Sequence, residues 1–564
     1  MTSLDRFLPH TCIAYLSMEI ALEPGIPTYS GGLGVLAGDT VRSCADLELP
    51  MVFVTLISRQ GYLRQSIAPD GSQQESADPW NPADHAEPLD AAVAVRIDGR
   101  PVWILPWLYR HECPHGGCAP VILLDTNLEV NDPADRSITD RLYGDGEDLR
   151  LKQEIVLGIG GERILRALGF EITTWHLNEG HAALLPLSLL RRHPLGRDEP
   201  LSTALRYDAE PVRERCVFTT HTPVEAGHDR FSYDLVHRMM GDFFEIGQLR
   251  QLAGAEELNM TRLALNLSGW VNGVAARHAE TAQRMFPGYH IHAVTNGVHV
   301  PTWTHPAFAA LFQQVAPEWA HDPGTLRGAD HLPDEAVWTA HMQAKGELLE
   351  EVRQRCGTAL DPALPLIVFA RRMTGYKRAD LLFSDLAQLR RIAREFPFQV
   401  LMAGKAHPRD EGGKTLIREV HAHARELAGT LPVVFVPNYE MGLAKKMVAG
   451  ADIWLNTPLP PMEASGTSGM KAALNGVPHL SVLDGWWAEA CEEGANGWAI
   501  GSDGGAPSQH AGELYDKLWS TVLPLWHHDR AGWIALMKQV ISRSGSRFNS
   551  QRMMRRYATE AYLR

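Results

Sequence analysis

Short apolar runs rich in β-branched residues alternate with longer amphipathic stretches along most of this chain. A first set of these runs extends from Thr11 to the strand-like run His290–Val294, and a second set extends from Leu366 to Leu483. Helical stretches such as Gly180–Arg192 lie between the runs. The alternation predicts parallel strands joined by helices. We expect an α/β fold with two domains, because 564 residues are too many for one hydrophobic core.

The boundary between the two sets is expected near residue 300, where a polar segment containing Pro and Asp begins. We predict an N-terminal Rossmann-like domain at residues 1–300 and a C-terminal Rossmann-like domain at residues 301–543. Residues 544–564 are predicted to form a helix that packs back on the first domain. Because ligands bind outside the carboxyl ends of parallel strands, two such domains would face a deep cleft.

Composition narrows the range of partners. A formal charge of −14 leaves no diffuse basic surface, which argues against nucleic acid or an anionic membrane as a partner. No window approaches the ~20 apolar residues of a membrane span. The first six residues lack the order of an export signal, and seven cysteines, an odd number, suit a reducing compartment. We therefore predict a cytoplasmic protein.

One loop contains four possible soft metal ligands, His111, Cys113, His115 and Cys118, within eight residues. This spacing could hold zinc. No second Cys/His pair lies nearby in the sequence, so we favour a plain connection and predict no metal site.

The segment Glu463–Lys471 lies between the strand-like runs Ala451–Leu455 and Leu480–Leu483. Its glycine, serine and threonine residues would let the backbone approach a ligand closely. Desolvation would lower the pKa of Lys471, as a lysine that forms a Schiff base with an aldehyde requires. The alternative is an ordinary Gly/Ser-rich loop with a solvated lysine.

Four cations, Arg371, Arg372, Lys377 and Arg378, directly follow the apolar run Leu366–Phe369. In an acidic protein such a cluster at the end of a strand indicates an anion site, because Arg can grip phosphate bidentately and Lys acts as a point charge. The alternative is a solvated helix start paired with acidic neighbours. We favour the anion site, since like charges at a helix N-terminus are unfavourable without an anion.

Polar groups also follow the strand-like runs of the first half. The turn Ser30–Asp39 is rich in glycine and opens a helix, so its backbone N–H groups suit a phosphate or sugar oxygen. Three further clusters are His176–His181, Thr219–Glu225 and Thr295–His299. Within them we expect Asn178 and Thr222 to act as helix caps. Together, these polar clusters at strand ends and the cations after Phe369 suggest a polyhydroxylated ligand that carries phosphate.

Aromatic side chains could supply stacking faces for such a ligand. Trp80, Trp486 and Trp487 are the candidates, and packing in the core is an equally good interpretation of each.

Motifs in a fixed order now identify a family resemblance. They are Tyr15–Glu19, Tyr29–Gly34, Asp78–Trp80, Leu149–Glu154, Leu177–His181, His221–Thr222, Thr295–Gly297, Arg372 with Tyr376–Arg378, Gly404–Ala406, Asn438–Tyr439, Glu463–Gly476 and Leu483–Gly485. The chain resembles the α-glucan phosphorylases that act on glycogen, starch and maltodextrin, in their short bacterial form. The matches run from residue 15 to about residue 500, and the lysine-bearing loop is the most specific.

The resemblance implies a glycosyltransferase-B architecture with pyridoxal 5′-phosphate held as a Schiff base on Lys471. In this family the cofactor phosphate relays a proton to the substrate phosphate. The implied reaction is reversible phosphorolysis of terminal α-1,4-glucosidic bonds, which releases glucose 1-phosphate with retention of configuration. The implied partners are an α-1,4-glucan and inorganic phosphate, and a homodimer is left open.

Residue roles follow from the resemblance position by position. The catalytic residues would be Lys471, Arg372, Lys377 and His221. The cofactor would be bound by Lys471, Lys377, Arg371, Tyr439, Thr467 and Gly32. The phosphate and sugar would be bound by Gly32, Leu33, His221, Asn296, Arg372, Glu463, Ser465 and Gly466.

Two features separate this chain from long-form phosphorylases. They carry Asn where Gly469 stands and a Lys-Arg pair where Arg371-Arg372 stands. The main rival function is a nucleotide-sugar-dependent glucosyltransferase of the glycogen or starch synthase type. Such enzymes usually place a second carboxylate eight residues after the first to hold a ribose, and here that position is Lys471. A non-catalytic glucan-binding descendant is the third interpretation, and it would be expected to lose Lys471, Arg372 or Glu463.

Overall fold

The computed structural model describes residues 4–114, 116–195, 206–502 and 505–563. The chain forms two compact units. The first unit contains Met1–Leu63, Ala77–Val294 and Met554–Arg564, and the second contains Arg64–Ser76 and Thr295–Met553. The division into domains at residues 1–300, 301–543 and 544–564 stays a prediction, because compactness does not test independent folding.

Twenty strands alternate with helices through the described ranges. In chain order they are β1 (Ile13–Ser17), β2 (Met51–Leu56), β3 (Arg64–Ile67), β4 (Gln73–Ser76), β5 (Glu87–Pro88), β6 (Val93–Ile97), β7 (Arg100–Glu112), β8 (Cys118–Asp125), β9 (Thr174–Asn178), β10 (Cys216–Thr219), β11 (Arg230–Ser232), β12 (Glu257–Asn259), β13 (Trp270–Gly273), β14 (His292–Ala293), β15 (Leu366–Ala370), β16 (Gln399–Ala403), β17 (Val433–Val436), β18 (Ile453–Asn456), β19 (His479–Val482) and β20 (Gly497–Ile500).

The α-helices within the described part of the chain are, in order, α1 (Gly32–Asp46), α2 (Pro133–Arg136), α3 (Glu147–Ile155), α4 (Gly161–Ala167), α5 (Leu185–Leu190), α6 (Glu210–Arg213), α7 (Tyr233–Met240), α8 (Ile246–Ala253), α9 (Met260–Asn266), α10 (Ala276–Met285), α11 (Val300–Trp303), α12 (Pro306–Val315), α13 (Asp334–Cys356), α14 (Leu386–Glu395), α15 (Glu411–Glu426), α16 (Met441–Gly450), α17 (Ser468–Ala473), α18 (Trp487–Ala490), α19 (His510–Lys517), α20 (Leu523–His528), α21 (Arg530–Val540) and α22 (Ser550–Arg556).

The sheet of the first unit has the order β14-β13-β10-β9-β1-β2-β8-β7-β5, with β6 also paired to β7. Pairing is parallel from β14 to β8, and β7 joins β8 in an antiparallel hairpin. Counted from β1, the seven strands of the parallel part have the order 3-2-1-4-5-6-7, which is the 3-2-1-4-5-6 order of doubly wound folds with one further strand, β14, at the edge. Its switch point lies between β1 and β9.

The sheet of the second unit is entirely parallel, with the order β17-β16-β15-β18-β19-β20. This is again the 3-2-1-4-5-6 order, and the switch point lies between β15 and β18. Every residue of β15, Leu-Ile-Val-Phe-Ala, is buried, as expected for a strand covered by helices on both faces. The predicted α/β class is confirmed in both units.

Local sequence signals set several helix ends. Asp385 and Asp410 accept hydrogen bonds from backbone N–H groups at the starts of α14 and α15. The longest helix, α13, ends at Gly357, whose φ of 67° is the left-handed conformation that glycine adopts readily. These caps confine each helix to the segment between two strands.

Some predicted elements differ in the structure. The helix expected over Gly180–Arg192 is a 3-10 turn at Gly180–Ala182 followed by α5. The strand expected over His290–Val294 is reduced to the two residues of β14. The last α-helix begins at Ser550 rather than near Ser544, because a π-helical stretch at Ile541–Gly545 precedes it.

The hairpin β3–β4 was missed by the sequence analysis. It lies in the first half of the chain, yet it belongs to the second unit. Its strands pair in antiparallel register from Arg64 opposite Ser76 to Ile67 opposite Gln73. The Pro69-Asp70-Gly71 sequence between the strands is a turn signal that could have predicted it.

Two sequence-based expectations concern membranes and metals. Within the described ranges, none of the helices has the length and apolar character needed to cross a bilayer. The described residues also contain no cluster of three His, Cys, Asp or Glu side chains suited to a metal. Cys113 and Cys118 are not in a disulfide; Cys113 contacts Asp46 and Cys118 contacts Arg6, whereas His115 lies outside the described residues.

Candidate active site

The switch point of the second unit brings together two of the predicted motifs. Arg371 to Lys377 directly follow β15, and Glu463 to Lys471 follow β18, the neighbouring parallel strand. Parallel strands present their carboxyl ends at the same edge of the sheet, so both motifs lie at one edge. This edge is where a ligand binds in doubly wound folds.

A carboxylate and two cations form an ion cluster there, which we call the site cluster: Arg371, Lys377 and Glu463. Glu463 Oε2 lies 2.7 Å from Arg371 Nη2 and 2.5 Å from Lys377 Nζ. All three side chains are buried. Burial would raise the pKa of Glu463, but the charges of Arg371 and Lys377 lower it to about 2. Glu463 is therefore ionised and balances part of the positive charge.

The surroundings of Lys377 in the site cluster disfavour its charged form. Burial is the largest cause that lowers the pKa of Lys377, and the charge of Arg371 lowers it further. Glu463 acts against both effects. A second anion near Lys377 would therefore favour its charged form.

Several buried polar atoms at this edge have no hydrogen-bond partner within the part of the chain that the structure describes. They are Nε and Nη1 of Arg371 and Oγ of Ser465. Oδ1 of Asn296, elsewhere in the second unit, is another such atom. Leaving buried polar groups unpaired is costly, and the cost is highest for charged ones. Two guanidinium nitrogens and a hydroxyl can donate to an anion or to sugar oxygens. The residues present therefore fit a phosphate-bearing ligand.

Lys471 is buried on the short helix α17, where its backbone N–H donates to Thr467. Its ammonium nitrogen lies 4.1 Å from the centre of the Trp303 ring. Asn475 joins the two elements, since its amide nitrogen donates to the carbonyl oxygens of Trp303 and Lys471 at 2.9 and 3.1 Å. Burial beside an aromatic ring suits a lysine that carries an aldehyde cofactor, because desolvation disfavours the charged ammonium form.

The loop before α17 is shaped by contacts with the segment Asp484–Trp486. The Glu463 N–H donates to Asp484 at 2.9 Å, and the Trp486 N–H donates to the Ser465 carbonyl at 2.9 Å. Gly466 has a φ of 77°, a conformation that side chains disfavour. These contacts place Glu463 and Ser465 at the sheet edge.

The other two cations of the motif have different environments. Arg378 donates to the carbonyl oxygens of Thr457 and Pro458 at 2.8 and 2.7 Å, so its role is to hold the backbone. Arg372 is exposed, and one of its contacts is a long hydrogen bond of 3.4 Å to the Tyr376 hydroxyl. The structure therefore brings Arg371 and Lys377 to Glu463, whereas Arg378 holds the loop backbone.

Gly469 stands where long-form phosphorylases carry Asn, and the packing explains the glycine. A Cβ atom at this position would lie 2.7 Å from the His479 ring and 2.9 Å from the Trp486 ring. His479 is buried, and burial followed by the charge of Arg371 lowers its pKa to about 3. A neutral imidazole thus fills the space that a side chain at Gly469 would occupy.

The predicted stacking residues are placed as follows. Trp486 and Trp487 are both buried against His479, which supports the core-packing interpretation of each. Trp80 in the first unit is half-buried and donates its indole N–H to the Ser58 carbonyl at 2.9 Å.

The first unit contains the remaining predicted residues. Gly32 and Leu33 are the first two residues of α1, whose N–H groups have no acceptor within the helix. Space beside Gly32 is open, since a Cβ atom there would meet nothing within 4 Å. Glu19 accepts from the N–H groups of Ser30 and Gly31 at 2.6 and 3.2 Å, and so holds the turn.

His221 is anchored by the last residue of β9 and by the residue after it. Its Nε2 lies 2.7 Å from Asn178 Oδ1, and its N–H donates to Glu179 at 2.8 Å. Glu179 also accepts from the Thr222 hydroxyl at 2.9 Å. The expectation that Asn178 and Thr222 cap helices is wrong, because both side chains bind other side chains instead. Burial, and then neighbouring histidines, lower the pKa of His221 well below its ordinary value.

The sequence analysis missed several residues that shape these sites. Trp303 and Asn475 surround Lys471, and Glu19 and Glu179 hold the turn and His221. No local pattern marks Trp303, which is distant from Lys471 in sequence. Glu19, Glu179 and Asn475 lie within motifs that were recognised, and only the tertiary contacts assign them a partner.

The fold and the site define the class of protein: an α/β protein of doubly wound order with a buried lysine and, at the edge of its second sheet, buried unpaired donors that fit an anion. Comparison with known proteins is consistent with this class. A sequence model described as carbohydrate phosphorylase matches residues 201–500. The chain belongs to the carbohydrate phosphorylase family, and the family predicted from its motifs is confirmed.

Three relatives illustrate the similarity. The maltodextrin phosphorylase of Thermococcus litoralis is 36% identical over 594 residues, covering 98% of this chain and 70% of that protein. The glycogen phosphorylase of Aquifex aeolicus is 35% identical over 607 residues, covering 98% and 86%. An uncharacterized protein of Methanocaldococcus jannaschii is 30% identical over 558 residues, covering 97% and 99%.

Proposed function

We propose that this protein is an α-glucan phosphorylase. It catalyses reversible phosphorolysis of terminal α-1,4-glucosidic bonds in glucans of the maltodextrin or glycogen type and forms glucose 1-phosphate with retention. The observation that carries the proposal is the edge at β15 and β18, where the unpaired donors of Arg371 lie beside Glu463 and the loop after Glu463 leads to the buried Lys471. Its relatives of known name are maltodextrin and glycogen phosphorylases, which supports the same reaction.

Pyridoxal 5′-phosphate is the proposed cofactor, and Lys471 would hold its aldehyde carbon. When bound, it supplies a phosphate group that exchanges a proton with the substrate phosphate. Trp303 would pack beside the cofactor and exclude water, and Tyr439 and Thr467 would line its site. Arg371 and Lys377 would bind phosphate oxygens through charge-assisted hydrogen bonds.

The sugar and the attacking phosphate are assigned to the remaining residues. Glu463, Ser465 and Gly466 would bind the 3- and 4-hydroxyls, and Asn296 would bind the 6-hydroxyl. Arg372 would bind substrate phosphate. Because Glu463 is ionised, it would accept hydrogen bonds from two hydroxyls and orient the ring.

The first unit would contribute His221, Gly32 and Leu33. The N–H groups of Gly32 and Leu33 would donate to phosphate. The main-chain carbonyl of His221 would face the positive charge that develops at the anomeric carbon. The proposal therefore includes a glycosyltransferase-B architecture, in which both units act on one substrate, and a cytoplasmic location.

The first experiment asks whether Lys471 carries the cofactor. The purified protein should show the near-ultraviolet band of a bound pyridoxal imine, and borohydride should fix the group on Lys471, as mapped by mass spectrometry. Lys471→Ala should remove the band and the release of glucose 1-phosphate from maltodextrin and phosphate. Lys446→Ala is the matched control, because the Lys446 side chain forms an ion pair with Glu351. This variant should keep both the absorption band and the release of glucose 1-phosphate.

The same assay separates the competing functions. A protein without the band that transfers glucose from a nucleoside diphosphate glucose would be a synthase-type enzyme. A protein that binds maltodextrin but shows neither activity would be a non-catalytic descendant. Either result would refute the phosphorylase proposal.

A further inference from the structure

The hairpin β3–β4 carries two buried glutamines, Gln65 and Gln73, whose side chains bind the second unit's loops. The Gln73 amide pairs with both backbone groups of Ala406: it accepts from the N–H at 2.9 Å and donates to the carbonyl at 3.0 Å. The Gln65 amide donates to the Gly404 carbonyl at 2.9 Å. Each glutamine thus contacts the segment Gly404–Ala406 that follows β16.

Gln65 also binds the loop after the next strand, β17. Its side-chain oxygen accepts from the Asn438 N–H at 2.8 Å, and its backbone N–H donates to Asn438 Oδ1 at 3.1 Å. Asn438 has a φ of 57°, a conformation that is uncommon for residues other than glycine and needs support from its surroundings. Tyr439, a proposed cofactor-site residue, is the next residue.

The orientation of the two amides is determined by these contacts. Gln65 Nε2 donates to Gln73 Oε1 at 2.7 Å, and the same oxygen accepts from Ala406. Turning either amide over would place donors against donors and acceptors against acceptors. The pair therefore acts as a rigid connector between the ends of β16 and β17.

The segment held by the glutamines packs directly against the proposed phosphate-binding residues. The Arg371 N–H donates to the Ala403 carbonyl at 3.1 Å, and the Met373 N–H donates to the Lys405 carbonyl at 2.9 Å. Gly404 is so close that a Cβ atom would lie 2.0 Å from the Arg371 carbonyl oxygen. A shift of residues 404–406 must therefore shift Arg371.

We propose that Gln65 and Gln73 are positioning residues that hold the anion-binding edge in its working geometry, an inference that rests on the proposed function. The hairpin supplies, from the first half of the chain, the support for Arg371 on one side and for Tyr439 on the other. A two-stranded hairpin has little stability of its own in water, so its structure depends on this docking. Losing either amide loosens both loops together.

The test replaces each glutamine by leucine, which keeps volume but removes the amide. Gln65→Leu and Gln73→Leu are compared with Gln74→Leu, a control on the same hairpin whose side chain is exposed. Hydrogen exchange is measured for the backbone amides of residues 371–373, 404–406 and 438. In parallel, KM for inorganic phosphate, KM for maltodextrin and kcat are measured in the holoenzyme.

In Gln65→Leu and Gln73→Leu, the hydrogen-exchange rates of these amides should be higher than in the wild type. We expect an increase of about tenfold for one lost buried hydrogen bond. The KM of both variants for phosphate should rise by a similar factor, with a smaller change in KM for maltodextrin. Gln74→Leu should change neither quantity.

Unchanged exchange in Gln65→Leu and Gln73→Leu would overturn the inference. Faster exchange with an unchanged KM for phosphate would also overturn it, because the hairpin would then be purely structural. If the wild-type protein shows no phosphate-dependent activity, the proposed function fails, and the exchange of residue 371 still decides whether the glutamines position it.

Discussion

The second unit buries a carboxylate with two basic side chains at each end of its parallel sheet. At the carboxyl end stands the site cluster of Arg371, Lys377 and Glu463. At the amino end, Asp452 binds Lys345 at 2.7 Å and His341 at 2.8 Å. We call these three residues the base cluster. The two clusters have similar composition and burial, but they differ in how completely their hydrogen bonds are made.

The base cluster is close to saturated. Asp452 also accepts from the Leu366 N–H at 2.7 Å, and Lys345 also donates to the Leu364 carbonyl at 2.7 Å. Burial would raise the pKa of Asp452, but Lys345 and His341 hold it below its ordinary value. Within the described ranges, Nδ1 of His341 is the one nitrogen or oxygen of these three side chains that lacks a partner.

The site cluster leaves charged donors unpaired, namely Nε and Nη1 of Arg371. Buried charges are tolerated when their hydrogen bonds are complete, and they are costly otherwise. Burial of an ion pair is therefore not itself a sign of function, since both clusters are buried. The sign is the incomplete pairing, which a bound anion would complete.

The largest expected effect concerns the base cluster. Asp452→Asn should lower the free energy of unfolding by about 3–5 kcal/mol, because Lys345 loses its carboxylate in a buried position. Urea denaturation followed by tryptophan fluorescence measures the change. Asp516→Asn, an exposed aspartate of the same unit, is the control and should change stability by less than about 0.5 kcal/mol. A small loss in Asp452→Asn would remove the distinction between the clusters.

The next effect is the pH dependence that Glu463 contributes. The pKa of Glu463 in the folded protein, about 2, lies below the ordinary value of 4.5. Ionised Glu463 therefore stabilises the folded state above pH 4.5, and this stabilisation is lost as the pH falls from 4.5 towards 2. The stability difference between wild type and Glu463→Gln should therefore shrink by up to about 3 kcal/mol over this range. Unfolding free energies at a series of pH values measure it. A difference that is independent of pH would contradict an ionised Glu463.

A smaller effect tests whether an anion completes the site cluster. Inorganic phosphate should raise the Tm of Glu463→Gln by about 2 °C or more, because phosphate can replace the lost negative charge beside Arg371 and Lys377. The same increase in ionic strength with chloride should raise the Tm of this variant less. Equal responses to phosphate and chloride would show that the site cluster has no special affinity for phosphate.

The smallest effect on stability is expected at the exposed cation. Arg372→Ala should change the free energy of unfolding by less than about 0.5 kcal/mol. It should nevertheless raise KM for phosphate by about tenfold or more, because a charge-assisted contact to the substrate is lost. Steady-state kinetics with phosphate as the varied substrate measures this. Normal phosphate use in the variant would remove Arg372 from the proposed site.

The α/β class and most strands of the parallel sheets could be predicted, because buried parallel strands are continuous apolar runs that short windows detect. Elements with mixed composition were harder. The 3-10 turn at Gly180–Ala182 interrupts a segment with helical periodicity, because Glu179 has a φ of 72° and binds the Gly180 N–H. The hairpin β3–β4 is polar on both strands, so its alternation indicated no core face.

The sequence by itself determined most strands of the parallel sheets, the family and the residue types of the site. Lys471, Glu463 and the cations after β15 can be recognised from sequence motifs alone. Only the tertiary structure decided that Arg371 and Lys377 meet Glu463, that Trp303 lies beside Lys471, and that Gln65 and Gln73 bind the segment packed against Arg371. The reason is that hydrogen bonding and burial depend on distances between residues far apart in the chain, and these distances exist only after the strands have paired.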